Sequence, residues 1–214
     1  MSAQTSLPPA RFSDTEAAVA AGQSPEPAWD IATLFPPQGQ WSEEEYLALD
    51  TLRRVEYSHG HIEVLEMPTQ SHQMIVGLLY RLLFEFVAAL KLGVVLPAGI
   101  RVRLWAGKFR EPDVVFMRAE HARRRHEAYW DGADLVMEIV SSNRELDMTT
   151  KRREYAQAGI PEYWIIDPLL STIIVLVLKG DAYQQHGAFR TGEVATSATL
   201  PGFGVRVDQV FQAE

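Results

Sequence analysis

Three short apolar runs constrain this chain more than any other feature: Asp113-Val114-Val115-Phe116-Met117, Leu135-Val136-Met137-Glu138-Ile139-Val140 and Tyr163-Trp164-Ile165-Ile166-Asp167. Each has the length of a strand and lacks the polar alternation of a half-exposed one, so each is expected to lie inside a sheet covered on both faces. Between the second and third, Leu146 to Ala158 reads as a helix closed by Gly159 and Pro161. Strand, helix and strand in that order imply a right-handed crossover and a parallel pair. At 214 residues and 47% hydrophobic content the chain supports one such core better than two, so a single α/β domain is expected.

The surrounding sequence extends this frame. Residues 1–40 hold Pro, Gly, Ser and Ala with little periodicity and read as a loosely ordered extension, with the domain running from Trp41 to Phe211. Ser42 followed by Glu45 has capping-box spacing and opens a short helix through Leu49. Arg54 to Tyr57 and Ile62 to Met67 read as a hairpin turning at His59-Gly60. From Ser71 to Leu92, Ile75, Leu78, Leu79, Leu82, Leu83, Phe86 and Leu90 recur at helical spacing, and Gly93 is the expected stop. Val94 to Trp105 reads as one half-exposed strand in which Ile100, Val102 and Leu104 alternate with Arg101 and Arg103. Thr172 to Leu178 is apolar without alternation, so both faces must be covered, by this chain or by a second copy, and a homodimer is expected. Further short strands follow toward Phe211.

Two of the three central runs carry an acid. Asp113 opens one and Glu138 lies late in another, and a carboxylate in such a run is costly unless paired or ligating. On adjacent strands the two would repel, raising one pKa unless a cation neutralised them, and hard oxygen ligands of this kind suit Mg²⁺ or Mn²⁺. Lys151 follows on the next helix, sharing a face with Asp147 and Tyr155. If that face meets the carboxylates, the ammonium can orient a nucleophilic water; otherwise Asp147 and Lys151 form an ordinary intrahelical pair. The chain contains no cysteine, so any metal must be held by oxygen or imidazole. A net charge of −8 counts against tight polyanion binding, although Arg123 and Arg124, within His121 to His126, could contact phosphate or form a solvated face. No apolar run is read as a membrane span, and Met1 to Ala10 lacks a basic n-region and an apolar h-region, so a cytoplasmic protein is expected.

Several stretches together resemble the Uma-type restriction endonucleases: Arg54-Val55-Glu56 with Gly60, His72-Gln73, Pro112-Asp113-Val114-Val115-Phe116, Leu135 to Ser141, Asp147 with Lys151, and Tyr155 to Trp164 with its Ala-Gly-Ile-Pro-Glu-Tyr-Trp ending. The resemblance runs from about Trp41 to Phe211. It implies a PD-(D/E)XK core: a restriction-endonuclease-like mixed β-sheet flanked by helices, with additional C-terminal strands. It further implies a Mg²⁺- or Mn²⁺-dependent endonuclease acting on nucleic acid, with DNA the expected substrate. Asp113 matches the motif aspartate and Glu138 the motif glutamate, while Val140 stands where the motif lysine is usual and Lys151 takes its place from the next helix. The Ile139 carbonyl is implied as a further metal ligand and Glu56 as an additional acid of the metal site. His72 matches a recurrent histidine that could contact phosphate, although a capping or hydrogen-bonded histidine is the commoner role for such a residue. The sequence departs from the pattern at His59, at Glu111 and at Ser142-Asn143-Arg144. A catalytically inactive nuclease-fold dimer, binding nucleic acid or regulating a partner, is the alternative function.

Overall fold

A computed structural model describes residues 35–213. The expected loose extension falls mostly outside them; near its end, the Gln38 side-chain amide bonds both the N–H and the C=O of Ile62. In chain order the elements are α1 (Glu43–Ala48), β1 (Val55–Ser58), β2 (His61–Val64), α2 (Gln70–Ala89), β3 (Gly93–Pro97), β4 (Arg101–Trp105), β5 (Lys108–Arg110) and β6 (Val114–Arg118). A 3₁₀ helix over Ala119–Arg124 leads to β7 (Tyr129–Asp131) and β8 (Leu135–Ile139), then a π-helical turn over Leu146–Thr150 runs into α3 (Lys151–Gln157). The chain continues through β9 (Glu162–Asp167), β10 (Thr172–Lys179), β11 (Ala182–Arg190), β12 (Val194–Thr196), β13 (Gly204–Arg206) and α4 (Val207–Phe211).

The three apolar runs sit at the centre of a mixed α/β architecture. The six-stranded sheet has the order β11-β10-β9-β8-β6-β3, with β8 and β9 parallel and the other neighbours antiparallel. Its central strands β6, β8 and β9 are covered on both faces. Val114, Phe116, Leu135, Met137 and Ile139 point to one, where α2 supplies Ile75, Val76, Leu79, Leu83 and Val87. Val115, Met117, Val136 and Val140 point to the other, against Tyr155, Ala156 and Ile160 around α3. Because strand side chains alternate, Glu138 shares the α3 side with Val136 and Val140. A five-stranded sheet, β2-β1-β5-β4-β7, holds its own aromatic core, in which Tyr46 stacks on Tyr57 at 5.1 Å beside Phe109.

Several sequence expectations are confirmed in detail and others are corrected. The Ser42 and Glu45 capping box is formed. The hairpin turns on His59 and Gly60, both at positive φ, and a Cβ on Gly60 would lie 2.5 Å from the Gly39 carbonyl oxygen. Helix α2 is capped by Thr69 and ends near Lys91, at φ 53°, so Gly93 is not its stop. Gly93 instead opens β3, where a Cβ would lie 2.1 Å from the Met117 carbonyl oxygen. Contrary to the expectation of no spanning run, α2 is long and apolar enough to cross a bilayer by length and composition; here Ile75, Val76, Leu78, Leu79, Leu83 and Val87 are buried in the core while Phe84 is exposed. The single strand expected over Val94 to Trp105 is two, β3 and β4, which belong to different sheets and are divided at Gly99, where φ is +111°. Finally, β10 is flanked by β9 and β11, with Ile173 and Val175 buried on one face and Leu176, past a bulge, on the other. The chain covers its own apolar strand, which removes the reason for inferring a second copy from it.

Candidate functional site

The antiparallel register pairs Val114 with Met137, so continuing it by one residue sets Asp113 across from Glu138. Opposed residues of such a pair project to the same face. Both carboxyls are buried, at 2% and 1% exposure, where an isolated charge would be prohibitive. The neighbouring elements supply the compensation.

Asp113 Oδ1 accepts from Arg54 Nη1 at 2.9 Å, and its Oδ2 accepts from the Ile139 amide at 2.9 Å and lies 3.3 Å from His72 Nε2. Burial opposes ionisation of Asp113, but His72, Arg54 and Lys151 outweigh it and hold the carboxyl below its usual range. Glu138 Oε1 accepts from the Tyr155 hydroxyl at 2.5 Å, and Oε2 lies 2.9 Å from Lys151 Nζ. Here burial wins. Together with the charges of Asp113 and Asp147 it pushes Glu138 up to about 7, against the opposing pull of Lys151 and Tyr155. Lys151 is buried too, with a second partner at 3.1 Å in Asp147. Although burial disfavours its charge, Glu138, Glu56, Asp147 and Asp113 together raise it above the usual lysine range.

Lys151 reaches the carboxylates because of the turn before it. Its amide donates to the Leu146 carbonyl in a π-type bond, and Asp147 Oδ2 accepts from both the amide and hydroxyl of Ser141. The face shared by Asp147, Lys151 and Tyr155 therefore does meet the strand acids. Behind it, alternating charges run from Lys108 and Glu154 to Arg110 and Glu56. Glu56 also accepts from the Glu111 amide at 3.1 Å. Burial disfavours its charge, but Lys151, Arg110 and that amide hold it below the usual range.

These groups face a cleft of about 870 Å³ lined by Arg54, His72, Asp113, Glu138, Asp147 and Lys151 among others. A bond of 2.9 Å from the Ser142 hydroxyl to Glu66 links two of its lining segments. The structure thus brings Asp113, Glu138, Ile139, Lys151 and His72 together. It does not bring all the expected residues. Glu56 does not line the cleft, because Arg110 and the Glu111 amide take its carboxylate. Arg123 is exposed on the 3₁₀ helix and Arg124 Nε donates to the Asp131 carbonyl at 2.6 Å, so neither lines the cleft. Glu162 takes the Trp164 indole and the Ala198 and Thr199 amides, which ties it to the C-terminal segment. Conversely, the hydroxyl of Tyr155 and the guanidinium of Arg54 belong to the site although sequence reasoning gave them no role there. For Tyr155 the signal was the helical face shared with Lys151; for Arg54 nothing local revealed a partner 59 residues away.

A hard divalent cation fits the residues present. Two hard oxygen donors, the Asp113 and Glu138 carboxylates, stand across from each other at the cleft. Among the described residues no three His, Cys, Asp or Glu groups form a ready cage. Mg²⁺ is commonly held by one or two carboxylates with waters and phosphate oxygens, which this donor set matches.

Residues 43–208 match the Uma2 family, described as "Putative restriction endonuclease". No curated protein matches the chain. Among solved structures it is similar to "a putative nuclease belonging to DUF820" from Anabaena variabilis, with a TM-score of 0.66 and 17% identity, covering 80% of this chain and 97% of that one. At that identity the likeness speaks for the fold alone.

Proposed function

We propose, from the premise that the chain belongs to the Uma2 family of restriction-endonuclease-like nucleases, that it hydrolyses DNA phosphodiester bonds with a Mg²⁺ or Mn²⁺ ion. The observation that carries this reading is the pairing of two buried acids, Asp113 and Glu138, with Lys151 2.9 Å from the second. Asp113, Glu138 and the Ile139 carbonyl would hold the ion. When bound, it supplies Lewis-acid chemistry, acidifying a water and neutralising charge on phosphate oxygens.

The chain's own residues do the rest. Lys151, held by Asp147, orients the attacking water and faces the charge that develops on the phosphate. Tyr155 fixes the Glu138 carboxylate in one orientation, and His72 and the Ile139 amide do so for Asp113. Attack in line forms one P–O bond and breaks the opposite one; the water proton passes to solvent, and the leaving oxygen takes up a proton from solvent. Glu56 acts at one remove, as part of the charge network behind Lys151.

Supercoiled plasmid with Mg²⁺ or Mn²⁺ tests the assignment. Wild type is expected to nick or linearise it, and Asp113→Ala, Glu138→Ala and Lys151→Ala each to lose that activity; equal cleavage by all four proteins would reject the site. The second reading, an inactive nuclease-fold homodimer in a cytoplasmic regulatory role, draws on the charge of −8, unfavourable for holding a polyanion. It predicts no thermal stabilisation by Mn²⁺, whereas a folded-state site must stabilise the protein by linkage. Light scattering reads the dimer.

A further inference from the structure

We propose that Arg54 and a divalent ion compete for the Asp113 carboxylate, and that the displaced guanidinium is the contact this cleft offers to a substrate phosphate. The inference rests on the proposed function above and adds a residue that it does not use.

Three cations besides His72 line the cleft, and they are held differently. Arg144 is bidentate on Asp167 at 2.6 and 3.1 Å. Lys151 is fixed between Glu138 and Asp147 and backed by Glu56. Arg54 is the one whose partner can spare it. Asp113 keeps the Ile139 amide and His72 on Oδ2, and only Oδ1 is taken by Arg54.

Arg54 bonds one motif acid directly, Asp113, while Glu138 is bonded by Tyr155 and Lys151 instead. Burial works against its charge, yet Asp113 and then Glu138 act on it strongly enough to raise its pKa. Its remaining anchors belong to Glu111: Nη2 donates to the Glu111 carbonyl, and Nε, buried and without a hydrogen bond, lies 3.7 Å from Glu111 Oε2. That last contact is too long for a hydrogen bond and has room to tighten. A guanidinium released from Asp113 therefore stays tethered at the cleft wall, 22% exposed. Its planar fork matches phosphate oxygens, and charge-assisted bonds of this kind are the strong ones. The arrangement also answers the departure at position 111: Glu111 does not leave an uncompensated charge beside the site, because Arg54 and Arg101 both face it.

The test uses the full chain in two measurements. Mn²⁺ affinity is read by titration calorimetry for wild type, Arg54→Gln, Arg54→Lys and Asp113→Asn. Affinity for a short phosphorothioate duplex is read by fluorescence anisotropy with Mn²⁺ present. Arg54→Gln is expected to bind Mn²⁺ about tenfold more tightly and the duplex about tenfold more weakly, each tenfold being one decade of affinity. Arg54→Lys keeps a charge without the fork, so its duplex affinity should fall while its Mn²⁺ affinity stays near wild type; it carries the test if the Gln variant melts early. Loss of the Mn²⁺ heat in Asp113→Asn ties the ion to this site. Unchanged or weaker Mn²⁺ binding in Arg54→Gln overturns the competition, and unchanged duplex affinity overturns the phosphate contact. Failure of the nuclease reading shows up elsewhere, as intact plasmid with wild type while the calorimetry still reports competition.

Discussion

Replacing Lys151 with Met keeps the apolar stem of the side chain and removes the one ammonium that neutralises Glu138 and Asp147, at 2.9 and 3.1 Å. Both acids are about 1% exposed, so neither can recruit bulk water in its place. Removing one partner from a buried ion pair costs about 3–5 kcal/mol. In a chain of this size that corresponds to a loss of roughly 6–20 °C in Tm. The loss should depend on pH, with a sign fixed by Glu138. Its folded pKa, about 7, already exceeds the usual 4.5, and Lys151 is the strongest influence holding it down, so the variant raises it further. A carboxyl with a raised folded pKa binds its proton more tightly in the native state. Its contribution to stability is therefore complete below about pH 4.5 and is lost as pH rises through the folded value, at a limiting slope of about 1.4 kcal/mol per pH unit. The variant should be severely destabilised at pH 8 and recover a large part of the deficit by pH 5. Urea titrations of both proteins at the two pH values measure this directly. Equal losses at both, or no loss at pH 8, would show that Lys151 is not the counter-ion of Glu138.

Tyr155→Phe deletes the 2.5 Å donor to Glu138 and should cost about 1–3 kcal/mol while shifting the acid limb of any cleavage profile to higher pH, which a pH–rate series would detect. Gly60→Ala demands φ +84° of an L-residue and drives its Cβ against the Gly39 carbonyl; a loss of about 1–3 kcal/mol is expected by denaturant unfolding, and a neutral result would contradict the hairpin geometry. Arg123→Ala should leave plasmid cleavage and duplex affinity unchanged, because that side chain lies exposed away from the cleft lining; a severalfold drop in either would extend the substrate path to the 3₁₀ helix.

What could be read in the sequence was what depends on local pattern. Asp113 and Glu138 stand out because acids are anomalous in dry strands, and Lys151 because helical spacing ties it to Asp147. The parallel β8 and β9 follow from the intervening helix. Where the sequence misled, tertiary contacts had overridden the local signal. The alternation of Ile100, Val102 and Leu104 with Arg101 and Arg103 marks β4 alone, and nothing in the apolar run before it shows that the chain changes sheets at Gly99. Lys91 takes the left-handed turn after α2 because Gly93 is needed for close approach to Met117. Arg54 and Asp113 meet only once β1, β5 and β6 have been brought together, a condition no window of sequence contains. Glu56 was legible as an acid but not as one already claimed by Arg110.

The π-helical turn at Leu146–Thr150 couples the connection between β8 and α3 to the position of Lys151. Surface connections ordinarily drift in length, and an inserted or deleted residue there is absorbed without consequence. Here the wide turn sets the rotational phase of the helix that follows. Rewinding the same residues as regular α-helix, with the Lys151 amide bonded to Asp147 instead of Leu146, would swing Lys151 by about 100° about the helix axis, away from Glu138, although every residue needed for the site would remain. The winding of this turn thus matters to the site as much as the identity of its residues, and a chain that keeps Asp, Glu and Lys but winds the segment differently would carry the letters of the site without its geometry.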